Sequence, residues 1–148
     1  MSESNATKTL RTHLVSGGAH IQRFEDKLSP GIPDTGCGKH GVYSFLEGKF
    51  VKALPARDTT NVMFGSKGEP RLAHQCNWLT AHAKAGGLAF WWVRVRDGGW
   101  YLFTDRYTLL RDGMRKDLFL QEKNWGSAKA MAAQIEELMI RHAWDVQT

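Results

Sequence analysis

The chain has 148 residues, 42% hydrophobic and 24% charged, with a formal net charge of +5. That is enough for one domain with one sizeable core, and the basic balance favours a polyanionic partner. Two cysteines exclude a disulfide framework, no apolar run reaches the length of a membrane span, and the polar start from Met1 to Lys8 predicts no signal peptide, so a reducing cytoplasm is expected.

Ser2–Val15 is predicted to be a helix with Ala6, Leu10, Leu14 and Val15 as its apolar stripe, Ser2 or Ser4 as cap and Gly17-Gly18 as stop. Glu3 falls in its first turn, where an acid complements the helix dipole. Ala19–Lys27 alternates like a half-buried strand, with Arg23 and Glu25 on one face. These two read either as a surface ion pair or as the edge of a site. Leu28–Lys39 contains Pro30, Gly31, Pro33, Gly36 and Gly38 and is predicted as loop and turn. Asp34, taken alone, is an ordinary turn aspartate.

Val42–Val51 is predicted to be a central strand, apolar on both faces. Glu47 and Lys49 interrupt it. Two residues apart in a strand, they share a face about 7 Å apart. Charges enter such a strand only when paired or bound to metal. Gly48 between them weakens the strand but permits close approach to the backbone, so its carbonyl is a further candidate ligand. Lys52–Glu69 is a long polar connection whose Lys52, Arg57 and Lys67 make it a candidate strand-clamping loop.

Pro70–Ala85 is predicted to be a helix, with Pro70 at its first position and Gly86-Gly87 past its end. Leu72, Cys76, Leu79 and Ala83 form its core stripe; Arg71, Gln75, Trp78 and His82 form a second stripe that reads as amphipathic surface or as a functional face. Leu88–Arg96 and Trp100–Phe103 form a predicted hairpin across Asp97-Gly98-Gly99, Leu118–Leu120 a short edge strand, and Ser127–His142 a capped helix with Met131, Ala132, Ile135, Leu138 and Met139 inside. The fold class is α/β, a central mixed sheet flanked by helices.

Phosphodiester hydrolysis needs an activated water and neutralisation of charge around phosphorus. Mg²⁺ takes carboxylate oxygens, waters and phosphate, acidifies water and stabilises the developing charge. Asp34 and Glu47 from two elements would hold it with positions open. Lys49 on the same face would orient or deprotonate the water, or neutralise the phosphate. Gln75 or Glu3 would hold a water or widen the metal shell.

Pro33-Asp34 followed by Glu47-Gly48-Lys49 resembles the PD-(D/E)xK nuclease motif. With Arg23-x-Glu25, Gly31-Ile32-Pro33-Asp34, Gln75 on a helix and the Gly86-Gly87 break, residues 1–103 are similar to small phage-type nucleases near the VRR-NUC group. The Asp-to-Glu spacing is also similar to that of Holliday junction resolvases. The resemblance implies a restriction-endonuclease-like core within a single nuclease domain of residues 1–148, with residues 104–148 a hairpin and helix extension. It implies a Mg²⁺-dependent DNA endonuclease, Mn²⁺ substituting. Asp34 and Glu47 would be metal ligands with the Gly48 carbonyl, Lys49 catalytic, and Gln75 the helix glutamine. Glu3 or Glu25 would be a third acid, with Arg23 secondary and Lys52, Arg57, Lys67 and Arg71 on DNA. The implied substrate is a four-way junction cut by a homodimer, in the host-cell cytoplasm if the chain is phage-encoded. A nickase, flap or single-strand nuclease is the alternative. Gly48 departs from the family pattern, which has an apolar residue there.

Two further readings compete. Cys37-x-x-His40 with His74-x-Cys76 offers four zinc ligands for a non-catalytic nucleic-acid-binding module, although His74 and Cys76 would point about 200° apart on a helix. A protein that kept the fold and lost the activity is disfavoured by intact Asp34, Glu47 and Lys49.

Overall fold

A computed structural model describes residues 2–24, 31–66 and 68–147. In chain order, α1 (Glu3–Ser16) leads into β1 (His20–Arg23), β2 (Thr35–Lys39) and β3 (Val42–Val51). A short β4 (Asn61–Val62) precedes α2 (Pro70–Lys84), β5 (Leu88–Val95) and β6 (Gly99–Phe103). The chain continues through α3 (Thr108–Asp112), β7 (Met114–Arg115), α4 (Lys116–Phe119) and α5 (Ala128–Gln147). Five strands form one sheet in the order β1-β2-β3-β5-β6. β3 and β5 are parallel, joined by the α2 crossover, and the other neighbours are antiparallel. The mixed sheet flanked by helices is the α/β class expected.

Alternation along the strands sends side chains into two separate cores. On one face Val51, Trp91, Val93, Val95, Tyr101 and Phe103 pack with Cys76 and Leu79 of α2, Leu110 of α3 and Phe119 of α4. On the other, Leu46, Phe90, Trp92 and Trp100 pack with Ala6, Leu10 and Leu14 of α1 and Met131, Ile135 and Met139 of α5. The helices start where capping chemistry places them. The Ser2 hydroxyl accepts the Asn5 N–H at 3.2 Å, the Ser127 hydroxyl accepts that of Ala130 at 3.0 Å, and Pro70 opens α2.

Several expectations are corrected. Residues 35–39 are not loop but the strand β2. Its glycines exist for packing rather than turning: a Cβ on Gly36 would lie 2.1 Å from the Tyr43 hydroxyl, and one on Gly38 would lie 3.3 Å from the same ring. Val15 is 55% exposed, because the Ala6–Leu10–Leu14 stripe turns it away from the sheet. Lys52–Glu69 is tied down in its middle, where Asn61 and Val62 pair with Arg115 and Met114 and Phe64 is buried. Leu118 lies in α4 and Leu120 caps it. Residues 104–148 carry no motif, yet α5 forms much of one core.

Candidate active site

The site forms where β3 runs past the end of β2. The β2–β3 ladder stops at Thr35 opposite Leu46, so the edge of β3 beyond Leu46 lacks a β2 partner. Asp34 stands there. Its carbonyl accepts the Phe24 N–H at 3.0 Å, and the Gly48 N–H approaches its Oδ2 at 3.4 Å. An extended residue turns its N–H and carbonyl to the same strand edge, so the Gly48 carbonyl faces this gap too. Gly31 brings the turn in: it has φ +89°, and a Cβ there would lie 2.3 Å from the His74 carbonyl oxygen. The Gly31–Asp34 turn therefore rests on the part of α2 that carries Gln75.

Glu47 is the centre. Its side chain is only 4% exposed. Oε2 accepts the Asp34 N–H at 3.1 Å, Oε1 accepts the Gln75 amide at 2.9 Å, and Lys49 Nζ lies 3.6 Å from Oε1. Burial, then the negative charge of Asp34, pushes the Glu47 carboxyl up to about 8; Lys49, the Asp34 N–H and Arg71 oppose the rise. Gln75 Oε1 is buried with no hydrogen-bond partner.

Asp34, Glu47, Lys49 and Gln75 thus meet at one strand end. Gly48 is explained by its neighbour: a Cβ would lie 2.2 Å from the buried indole of Trp92, its partner in register on β5. The volume that a side chain at position 48 would take is occupied by Trp92.

Sequence reasoning missed Arg11 and Thr35. Arg11 Nε donates to the Thr35 hydroxyl at 2.8 Å and Nη2 donates to the Asp34 carbonyl at 2.9 Å. The Thr35 hydroxyl in turn lies 2.8 Å from Asp34 Oδ1. Together they hold the aspartate's carboxylate from behind. The available signal was Thr7 with Arg11 and Lys8 with Thr12, polar residues four apart on α1, the first pair flanking the Leu10–Leu14 stripe. These residues, with Arg23, Phe24, Asp34 and Arg71, line an open cleft of ≈ 950 Å³.

Arg23 lies on that cleft and Arg71 at its α2 side. Lys52 and Arg57 are exposed after β3. Glu25 and Lys67 lie outside the described residues; Glu3 begins α1, and its side chain likewise lies outside them. Cys37 belongs to the α1–α5 core and Cys76 to the α2 core, so the sheet separates the pairs that would have shared zinc. Burial pushes the Cys37 thiol up to about 11, away from the thiolate a metal needs. Among the described residues, no three His, Cys, Asp or Glu side chains group as metal ligands.

What the gap does offer is oxygen: two carboxylates from separate elements, a strand carbonyl and the unpartnered Gln75 Oε1. A hard divalent cation suits this donor set better than a soft one. No described helix is long and apolar enough to cross a membrane.

No family model and no curated protein matches the chain. Among solved structures it is similar to a Holliday junction resolvase of the archaeal hyperthermophile Archaeoglobus fulgidus. The identity is 19%, the match covers 69% of this chain and 71% of that one, and the TM-score is 0.47.

Proposed function

We propose that this protein is a divalent-metal-dependent DNA endonuclease with a PD-(D/E)xK-type site made of Asp34, Glu47, Lys49 and Gln75. The observation that carries the reading is Glu47: an acid buried in a central strand, hydrogen-bonded by Asp34 and Gln75, with Lys49 beside it. A buried acid with a raised pKa and specific charge partners, hydrogen-bonded to an Asp34 that lines the cleft, is what a functional site requires.

Asp34, Glu47 and the Gly48 carbonyl would hold Mg²⁺ or Mn²⁺, with Gln75 Oε1 as a further oxygen donor. The bound cation would acidify water and neutralise charge on the phosphate. Lys49 places a positive charge on the same face, where it orients the attacking water or balances the non-bridging oxygens. Arg11 and Thr35 keep the Asp34 carboxylate turned to the gap. Arg71 and Arg23 on the cleft, with Lys52 and Arg57 beyond β3, supply the electrostatic surface for a phosphate backbone. Glu3 and Glu25 remain the candidates for a third acid.

The finer reading is a junction-resolving enzyme acting as a homodimer. Its support is the resemblance of the ordered motif to small stand-alone nucleases; two sites about a two-fold axis suit a near-symmetric four-way junction. The test is incubation of the purified protein with labelled four-way junction, flap, single-stranded and duplex DNA in Mg²⁺. Paired symmetric nicks in the junction alone are expected. Asp34→Ala and Glu47→Ala should each abolish cleavage while leaving DNA binding; wild-type cleavage by either variant would overturn the site.

A further inference from the structure

Beside the site lies a surface that the cleavage chemistry does not use. Tyr43, Phe45, Glu47 and Lys49 alternate onto one face of β3, so the acid has Lys49 on one side along that face and the rings of Phe45 and Tyr43 on the other. α2 continues the pattern: Trp78 and His82 follow Gln75 at helical spacing. Phe45 packs edge-on against Trp78 with centroids 4.9 Å apart, and Trp78 stacks on His82 at 5.0 Å. Phe24 stacks on Phe45 at 5.9 Å and 27°, and Tyr43 meets Phe45 at 5.2 Å.

Tyr43 is exposed on this sheet face, while Phe24, Phe45, Trp78 and His82 are half-buried and Trp78 also packs against the α2-side core. On this face β2 presents Gly36 and Gly38, and the Tyr43 ring lies across both. Among the described residues, no β1 or β2 side chain belongs to the core on the α2 side. Tyr43 remains 40% exposed. The charge around the patch selects its occupant. Phe24 belongs both to the ring cluster and to the cleft that Lys8, Arg11, Arg23 and Arg71 line. A basic groove running into a row of rings is the combination that binds single-stranded nucleic acid: the backbone follows the charge and the bases stack on the aromatics.

We propose that this aromatic floor takes up DNA bases unstacked next to the scissile phosphate, so that the protein prefers strands with unpaired bases over continuous duplex. The proposal rests on the nuclease reading of the adjoining site. It adds a reason for structure selectivity, since paired bases keep their faces buried in the stack.

The test separates binding from cleavage. In EDTA, anisotropy of a fluorescein-labelled single strand and of the matching duplex is followed for wild type, Tyr43→Ala and Trp78→Ala, with Tyr43→Phe and Trp78→Phe as ring-retaining variants. Wild type should bind the single strand more tightly. Each alanine variant should weaken single-strand binding by about tenfold and leave the duplex unchanged, while the phenylalanine variants bind as wild type. Equal loss on both DNAs, or no loss, would overturn the floor. So would sedimentation showing a wild-type dimer that the alanine variants dissociate with DNA binding intact, which would assign the patch to a second copy. Ring-dependent binding by a protein that shows no Mg²⁺-dependent cleavage would sink the nuclease reading and keep the floor.

Discussion

Glu47 carries a conflict that a cation would resolve. Burial, then the negative charge of Asp34, pushes its carboxyl up from an ordinary 4.5 to about 8. The sign follows from linkage: the folded state favours the protonated acid, so that stability is fully present below pH 4.5 and is lost as pH rises through about 8. Metal-free wild type should therefore melt at a falling temperature across this window, and Glu47→Gln should fall less. At pH 8.5, Mg²⁺ should raise the melting temperature of wild type and not of Glu47→Gln, since a ligand bound only by the folded state stabilises it. Thermal melts of both proteins with EDTA and with Mg²⁺ check this without any cleavage assay. Asp34, Glu47 and Lys49 were legible as a group because a lone acid and lysine at strand spacing in an apolar run are costly unless used. Arg11 was not legible, because an arginine on the polar face of a surface helix is ordinary until the fold brings that face to Thr35.

At the scale of elements, β3 and β5 share one volume between two positions. Gly48 lacks a side chain because Trp92 already occupies its place. Gly48→Ala should destabilise the protein by about 1–3 kcal/mol through overpacking, and Gly48→Ala with Trp92→Leu should recover part of that loss. Denaturant unfolding of the two variants and of Trp92→Leu alone, closed as a double-mutant cycle, measures the coupling; additive losses would show that the two positions do not compete. The same principle explains the misread β2. Glycine-rich sequence signals a turn when judged locally, but Gly36 and Gly38 are strand residues whose missing side chains make room for Tyr43.

For the whole molecule, the C-terminal segment is a structural layer. Met131, Ala132, Ile135 and Met139 of α5 cover Leu46, Phe90, Trp92 and Trp100 and meet Leu10 and Leu14 of α1. A chain ending after Phe103 keeps every motif residue but exposes that face. It should show no cooperative thermal transition and no Mg²⁺-dependent cleavage, as circular dichroism and the junction assay would report. A cooperative melt of the truncated chain would show residues 104–148 to be an accessory.

The sequence by itself determined the α/β class, the boundaries of β3, α2 and β5 to within a residue, the cap of α5, and the grouping of an acid and a lysine on one strand face. These follow from periodicity, capping chemistry and the cost of burying charge, all local quantities. Only the tertiary structure decided that β2 is a strand, that Arg11 and Thr35 hold Asp34, that Gly48 answers to Trp92, and that α5 builds one core. Each of these depends on which side chain fills a volume contributed by a distant part of the chain.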